Sequence, residues 1–312
     1  MIFRYVPLEE VARQFTHVST MPLMAALTVT VLGRVISAVQ FKYLTDIQHM
    51  KVSLSRIFYI NTVTAFYQLF LPGYISGGAI RWYKLADGAE NADKALSVIL
   101  VARLFDSMVA FIWMLTLFAA DTVAWASGYS AAVKLFAGAL IAVTLAGFGV
   151  KYQQHLGAFL HRRVAGMYLE RSGRIAGAIG GAARLLLNFS WLTTPQVAAT
   201  VLLLSVYHFL GASGWFYLAM GLDIDIPLLS LVWIRIVIYL AMLIPITFSG
   251  LGVREGLLIL LLAPLGIDAG SAVAFALLLL CLSIAIGVLG GAVEGIALTF
   301  GACASRSGKS SD

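Results

Sequence analysis

At 312 residues with a net charge of +6, the chain is 61% apolar and 12% charged, half the roughly 25% charged content of soluble domains. A mean hydropathy of +0.92 excludes a water-soluble globule. Windows of about 20 apolar residues, the length of a membrane span, recur along the chain. They predict one membrane domain over 1–300 with a short tail at 301–312 and no soluble partner domain.

The first twenty residues carry Arg4, Glu9, Glu10 and Arg13 before any apolar run, which is unlike a cleaved signal. Leu8, Val11, Phe15 and Val18 recur at helical spacing and predict a short interfacial helix. Apolar windows then predict spans near 21–44, 54–71, 95–119, 131–150, 196–220, 228–245, 255–266 and 271–300. The seventh is short, and its Pro264 and Gly266 suggest a half-helix. The fold class expected is therefore all-α, a polytopic bundle of about seven to eight spans.

The connection at 151–195 carries Lys151, Arg162, Arg163, Arg171, Arg174 and Arg184 against Glu170, so the positive-inside rule places it in the cytoplasm. Alternation then puts both termini inside, but also puts Lys42, Lys51 and Arg56 outside. Within the connection, Leu156, Phe159, Leu160, Val164 and Met167 beside Arg162 and Arg163 fit a helix lying on an anionic leaflet.

The segment Leu71-Pro-Gly-Tyr-Ile-Ser-Gly-Gly-Ala-Ile-Arg81 aligns without gaps to Ile244-Pro-Ile-Thr-Phe-Ser-Gly-Leu-Gly-Val-Arg254. Pro72 and Pro245 each end an apolar run. Small residues follow (Ser76, Gly77 and Gly78; Ser249, Gly250 and Gly252), and then an arginine. Both segments read as helix, break, helix, and such breaks are tolerated at membrane depth only where freed backbone groups are buried in protein or line a wet cavity. Paired breaks in two halves of a chain point to a transporter's binding site. Helix starts after these glycines offer free N–H groups to an anion, and Arg81 and Arg254 add planar, permanently charged donors suited to phosphate. The two arginines are expected to converge on one polar cavity. Counting spans makes the repeat parallel, whereas one re-entrant segment miscounted as a span would invert it.

Arg34, Arg103, Asp106 and Arg235 fall within apolar runs, with Glu255 and Glu294 close to or inside others. Ionisable groups there default to a functional hypothesis. Arg103 and Asp106, three apart, are near enough to pair and to gate or brace a cavity. Arg254 and Glu255 are adjacent, which favours separate roles. Glu294 lies among Gly290, Gly291 and Gly295, where small residues permit close helix contact, and reads either as a proton-sensitive switch or as a carboxylate satisfied by a neighbouring arginine. His208 reads as a core histidine, and Asp223 and Asp225 as a charged turn. Cys281 and Cys303 are too few and too ill-placed for redox chemistry. The sequence contains no phosphate-binding loop of the GxxxxGK[ST] type, no HExxH, no nucleophile elbow, and no metal, cofactor or nucleic-acid motif.

Pro245-Ile-Thr-Phe-Ser-Gly-Leu-Gly-Val-Arg-Glu-Gly256, with Leu71-Pro72, Gly77-Gly78, Arg81 and Arg103-Leu-Phe-Asp106, resembles the lysylphosphatidylglycerol synthase transmembrane-region family. The resemblance implies a bacterial cytoplasmic-membrane protein that moves an anionic or modified lipid between leaflets. Some members carry a fused soluble synthase domain, for which the residues after the last span leave no room. The resemblance also implies an arginine in the next helix, which Leu277–Ser283 lacks. Two other functions fit the residues: a membrane enzyme using Asp106, Glu255 or Glu294 as acid or base on a lipid phosphate or lipid-linked sugar, and a scaffold that recruits cytoplasmic proteins through 151–184.

Overall fold

The computed structural model describes residues 19–71, 76–86, 89–119, 192–242 and 252–307. Among them run eight α-helices: α1 (Thr20–Ile47), α2 (Leu54–Phe70), α3 (Ser76–Leu85), α4 (Ala89–Ala119), α5 (Thr194–Gly221), α6 (Leu228–Ala241), α7 (Val253–Leu262) and α8 (Ala269–Ser307). A 3-10 turn at Ala263–Leu265 follows α7. The chain is an all-helical membrane bundle in which α1, α4, α5 and α8 are each long and apolar enough to cross a bilayer. Pro72, Pro245, Ser249 and Gly250, the span at 131–150 and the two expected interfacial helices lie outside the described residues.

Local chemistry sets the helix ends. Ser53 accepts the Arg56 N–H at 3.2 Å to open α2, and the Thr193 N–H donates to Gln196 Oε1 at 2.8 Å to open α5. Asp268 opens α8, taking the Ser271 N–H on Oδ1 at 2.9 Å and its hydroxyl on Oδ2 at 2.6 Å. Two helices outrun their expected ends. The i,i+4 pair of Lys42 and Asp46 carries α1 past 44 to Ile47, and α8 passes 300 to Ser307 because no proline stops it.

Small residues dictate which helices touch. α1 and α5 pack antiparallel: the Ser19 N–H donates to the Gly221 carbonyl at 3.1 Å, Gly214 lies against Thr30 and Ala26, and Gly33 against Leu210. α2 and α8 are also antiparallel, with Gly287 against Leu69 and Gly290 against the Thr62 backbone; a Cβ at Gly291 would sit 2.6 Å from the Phe66 ring. α3 folds back along α2, since Gly77 meets Gln68 and Thr64 while the Lys84 ammonium lies 5.3 Å from the Tyr59 ring centroid.

An offset of 173 residues, which takes Leu71 to Ile244 and Arg81 to Arg254, also brings the starts of α1 and α2 within one residue of the starts of α5 and α6. The equivalent helices α1 and α5 run in opposite directions, so the repeat is inverted. This corrects the parallel repeat obtained by counting spans. Because α3 returns along α2, the pair enters and leaves at one end of the bundle and does not add a crossing.

Two apolar clusters lie toward opposite ends of the bundle. One joins Phe41, Leu44, Met50, Ile57, Leu85 and Leu192. The other joins Ala26, Phe118, Leu222, Ile226 and Leu262. The loop at 48–53 therefore lies at the same end as Leu192, where the basic connection enters α5. This overturns the placement of Lys42, Lys51 and Arg56 on the opposite side from that connection, and with it the expectation that both termini share one side. Ser19 lies beside Gly221, at the end of the bundle opposite Leu192, whereas α8 runs toward the basic end, where Glu294 meets Lys84. Lys84 and Lys94 share this end, while the connections at the other, 222–227 and 263–268, bear Asp223, Asp225 and Asp268 and no Lys or Arg.

Candidate functional site

Between the two clusters lies a cavity of about 350 Å³ bounded by α1, α2, α3, α5, α6, α7 and α8. Arg34, Arg81, Arg235 and Arg254 all line it, each from a different helix, and among the described lining residues there is no carboxylate. Asn61, Gln68 and Ser283 add polar atoms; Trp215, Leu279 and Ile286 supply apolar wall. Arg81 and Arg254, at equivalent positions of the repeat, thus face one space.

The two breaks present their arginines differently. On α3, close approach to α2 requires Gly77, because a Cβ there would overlap the Gln68 amide. A Cβ at Gly78 would make only ordinary contact, 3.6 Å from Ile99. Ser76 begins the helix, and Arg81, one turn on, places its guanidinium 5.7 Å from the Phe41 ring centroid. On α7, Gly252 has φ +87°, a conformation that favours glycine, and its N–H donates to Glu255 Oε2 at 2.6 Å. Arg254 is buried at 8% exposure and its Nη2 lies 3.0 Å from Glu255 Oε1. Two expectations are corrected here. The Gly252 amide, expected to be open to a ligand, is bound by the chain's own carboxylate. Arg254 and Glu255 also pair despite adjacency, because both side chains are long enough to meet over the first turn.

Arg235 leads away from the cavity into a buried polar chain. A Cβ at Gly211 would overlap its guanidinium, so that glycine creates the groove in which it lies. Nη1 is 3.2 Å from His208 Nδ1, and the guanidinium carbon is 5.6 Å from the Tyr207 ring centroid. An arginine only donates, so His208 Nδ1 accepts and the ring proton sits on Nε2, which lies 3.1 Å from Asp106 Oδ1. Tyr239 donates to Asp106 Oδ2, and Arg103 stacks 5.7 Å from the Tyr239 ring centroid. Asp106 is thus held by residues of α5 and α6 in addition to any contact with Arg103, and His208 links it to the cavity wall.

Glu294 is also fully engaged, with lysine and tyrosines where an arginine was expected. Lys84 Nζ donates to Oε1 at 2.6 Å, Tyr67 to Oε1 at 3.3 Å, and Tyr59 to Oε2. The cluster ties the α2–α3 hairpin to α8. Neither Asp106, Glu255 nor Glu294 lines the cavity, and they do not meet one another.

Sequence reasoning did not place Asn61 or Gln68 at the site and took Arg34 only as an intramembrane charge of functional interest; His208, read as a core histidine, is buried at 1% exposure and does not line the cavity. Asn61 is buried at 8% exposure, and both its amide atoms lack a hydrogen-bond partner, as does Arg254 Nε. A buried amide without a partner in a polar cavity is a ligand-facing group in waiting. A polar residue within the predicted span 54–71 was the available signal.

A family model described as the lysylphosphatidylglycerol synthase TM region matches residues 1–291. No curated protein matches the chain. With nearly the whole bundle, both breaks and all four cavity arginines inside the matched range, the chain belongs to the lysylphosphatidylglycerol synthase transmembrane-region family, a family of membrane proteins involved in lipid handling.

Proposed function

We propose that the chain is a lipid translocase that carries a phosphate-bearing headgroup through the cavity while the acyl chains remain in lipid. The observation that carries this reading is the convergence of Arg81 and Arg254, equivalent residues of an inverted repeat, on one cavity. Inverted repeats with discontinuous helices at a shared site are a recurring transporter architecture, because exchanging the two halves' conformations exposes the same site to either side. The headgroup phosphate takes charge-assisted contacts from the guanidiniums, and the unpartnered Asn61 amide donates to it. With no ATP-binding motif, movement is downhill or coupled to a gradient. The positive-inside rule puts the basic end in the cytoplasm, and a cell negative inside then drives an anionic headgroup outward with about 2.3 kcal/mol per charge per 100 mV.

Reconstitution of the purified chain into vesicles carrying a headgroup-labelled anionic phospholipid tests this. Protein-dependent loss of leaflet asymmetry, weakened by Arg81→Lys and further by Arg254→Gln, is the expected result. Vesicles that retain their asymmetry with folded protein present, or that accumulate a covalently changed lipid, would overturn it.

A further inference from the structure

The polar chain behind the cavity holds one imidazole, the side chain that ordinarily exchanges a proton near neutral pH. His208 is buried at 1% exposure on α5. Asp106 lies beside it from α4, with Arg103 on the same helix against the Tyr239 ring. Arg235 and Tyr239 meet it from α6, and Tyr207 adjoins it on α5. Arg34 lines the cavity from α1, and the lining stretch of α8, 279–286, carries no charge.

The two ring nitrogens have unlike neighbours. Nδ1 accepts from Arg235 Nη1 at 3.2 Å, so a guanidinium occupies the lone pair that a second ring proton needs. Nε2 lies 3.1 Å from Asp106 Oδ1, yet neither atom has an aligned hydrogen-bond partner. Poor alignment costs a neutral N–H most of its hydrogen bond, whereas attraction between a charged ring and a carboxylate is set by their separation. Asp106 is thus placed to hold an imidazolium, and Arg235 stands where the extra proton would go. Arg235 also lines the cavity. A phosphate that takes the guanidinium edge bidentately draws it from the ring and offsets its charge. The repeat has no second copy of this arrangement: within one residue of the position equivalent to His208 stand Arg34, Val35 and Ile36, so packing of the first half proceeds without a histidine there.

We infer that headgroup binding at Arg235 is linked to uptake of one proton by His208, which makes the proton a second ligand of the site. As Arg235 Nη1 leaves Nδ1, a hydronium in the cavity gives its proton to the freed lone pair and departs as water. The ring becomes a cation held by Asp106, and the headgroup keeps its charge. This rests on the reading of the cavity as a headgroup site, but not on movement between leaflets.

The test uses the full chain in neutral-lipid nanodiscs, with phosphatidylglycerol as the probe, between about pH 6 and 8, where imidazole titrates and a phosphodiester does not. Calorimetric titrations in buffers of different protonation heat count the protons taken up. Lipid binding should take up as much as about one proton, and affinity should rise as pH falls by up to about tenfold per unit, because the bound state holds more protons. His208→Gln should abolish both effects. With His17→Asn, His49→Asn, His155→Asn and His161→Asn, His208 is the sole histidine, and its ring nitrogens in a nuclear magnetic resonance spectrum should change from singly to doubly protonated when lipid is added. That reading decides the matter even if His208→Gln fails to fold. No proton uptake by the wild type, uptake that persists in His208→Gln, or a ring that stays singly protonated on binding overturns the inference. Absence of any binding removes it together with the headgroup site. Proton uptake on binding without movement in vesicles would remove the translocase reading and leave the linkage standing, and movement without uptake would do the reverse.

Discussion

Asn61 is where binding and stability separate most cleanly. Its amide is buried without a hydrogen-bond partner, and an unsatisfied buried polar group destabilises the fold by about 1–3 kcal/mol. Asn61→Leu should therefore leave thermal stability unchanged or raised while lowering headgroup binding about tenfold; a variant that melts earlier and binds normally would make Asn61 a packing residue. His208 should behave oppositely. It is itself buried and lies between half-buried Arg235 and Asp106, so His208→Ala leaves a void and removes the link between them, and should destabilise by about 1–3 kcal/mol in a denaturation midpoint series. Of these residues, Arg81 and Arg254 were legible in the sequence because a four-residue register repeats around them. Asn61 was not, and His208 was legible as a core residue but without its partners, since a single polar residue in an apolar run has no sequence partner until helix packing supplies one.

Helix pairing depends on where glycine permits close approach. Gly290 lies against the Thr62 carbonyl, and backbone there has little room to yield. Gly290→Leu should separate α2 from α8 and lower stability by about 1–3 kcal/mol, loosening the nearby contact of Glu294 with Lys84. An unchanged melting temperature would show that the two helices do not depend on this contact. At the start of α8, Asp268 lies outside the spanning segment, and its carboxyl is held below the usual range chiefly by the Ser271 hydroxyl, with the Ser271 N–H adding to it. A depressed carboxylate contributes stability above its unfolded pKa and loses it as pH falls through the folded value. Stability should therefore drop as the medium is acidified below the ordinary Asp range. Asp268→Asn should flatten that dependence in a thermal-unfolding series across acidic pH. Most helix positions were readable from hydropathy because span length and apolar content are fixed by the bilayer. The fold-back of α3 on α2 was not, because a broken segment and a full crossing have the same apolar content.

That fold-back decides the topology of the whole molecule. Had α2 been a full crossing, α1 and α5 would run parallel and Lys51 would lie opposite the basic connection; with α3 returning, the described basic loops gather at one end and Asp223, Asp225 and Asp268 at the other. In intact cells, with Cys281 and Cys303 replaced, a cysteine at Asp223 should react with an impermeant reagent while cysteines at Lys51 and at Glu170 should not. Labelling of Lys51 and Glu170 from opposite sides would contradict the inverted arrangement. The central claim is that the two halves build one headgroup site, and a double-mutant cycle on binding of a fluorescent anionic phospholipid tests it most directly. Arg81→Gln and Arg254→Gln, singly and together, should give losses that fall short of additivity by at least about 1 kcal/mol, since both residues act on the same phosphate group. Losses that add within about 0.5 kcal/mol would mean two independent sites and would contradict the shared cavity as the site of function.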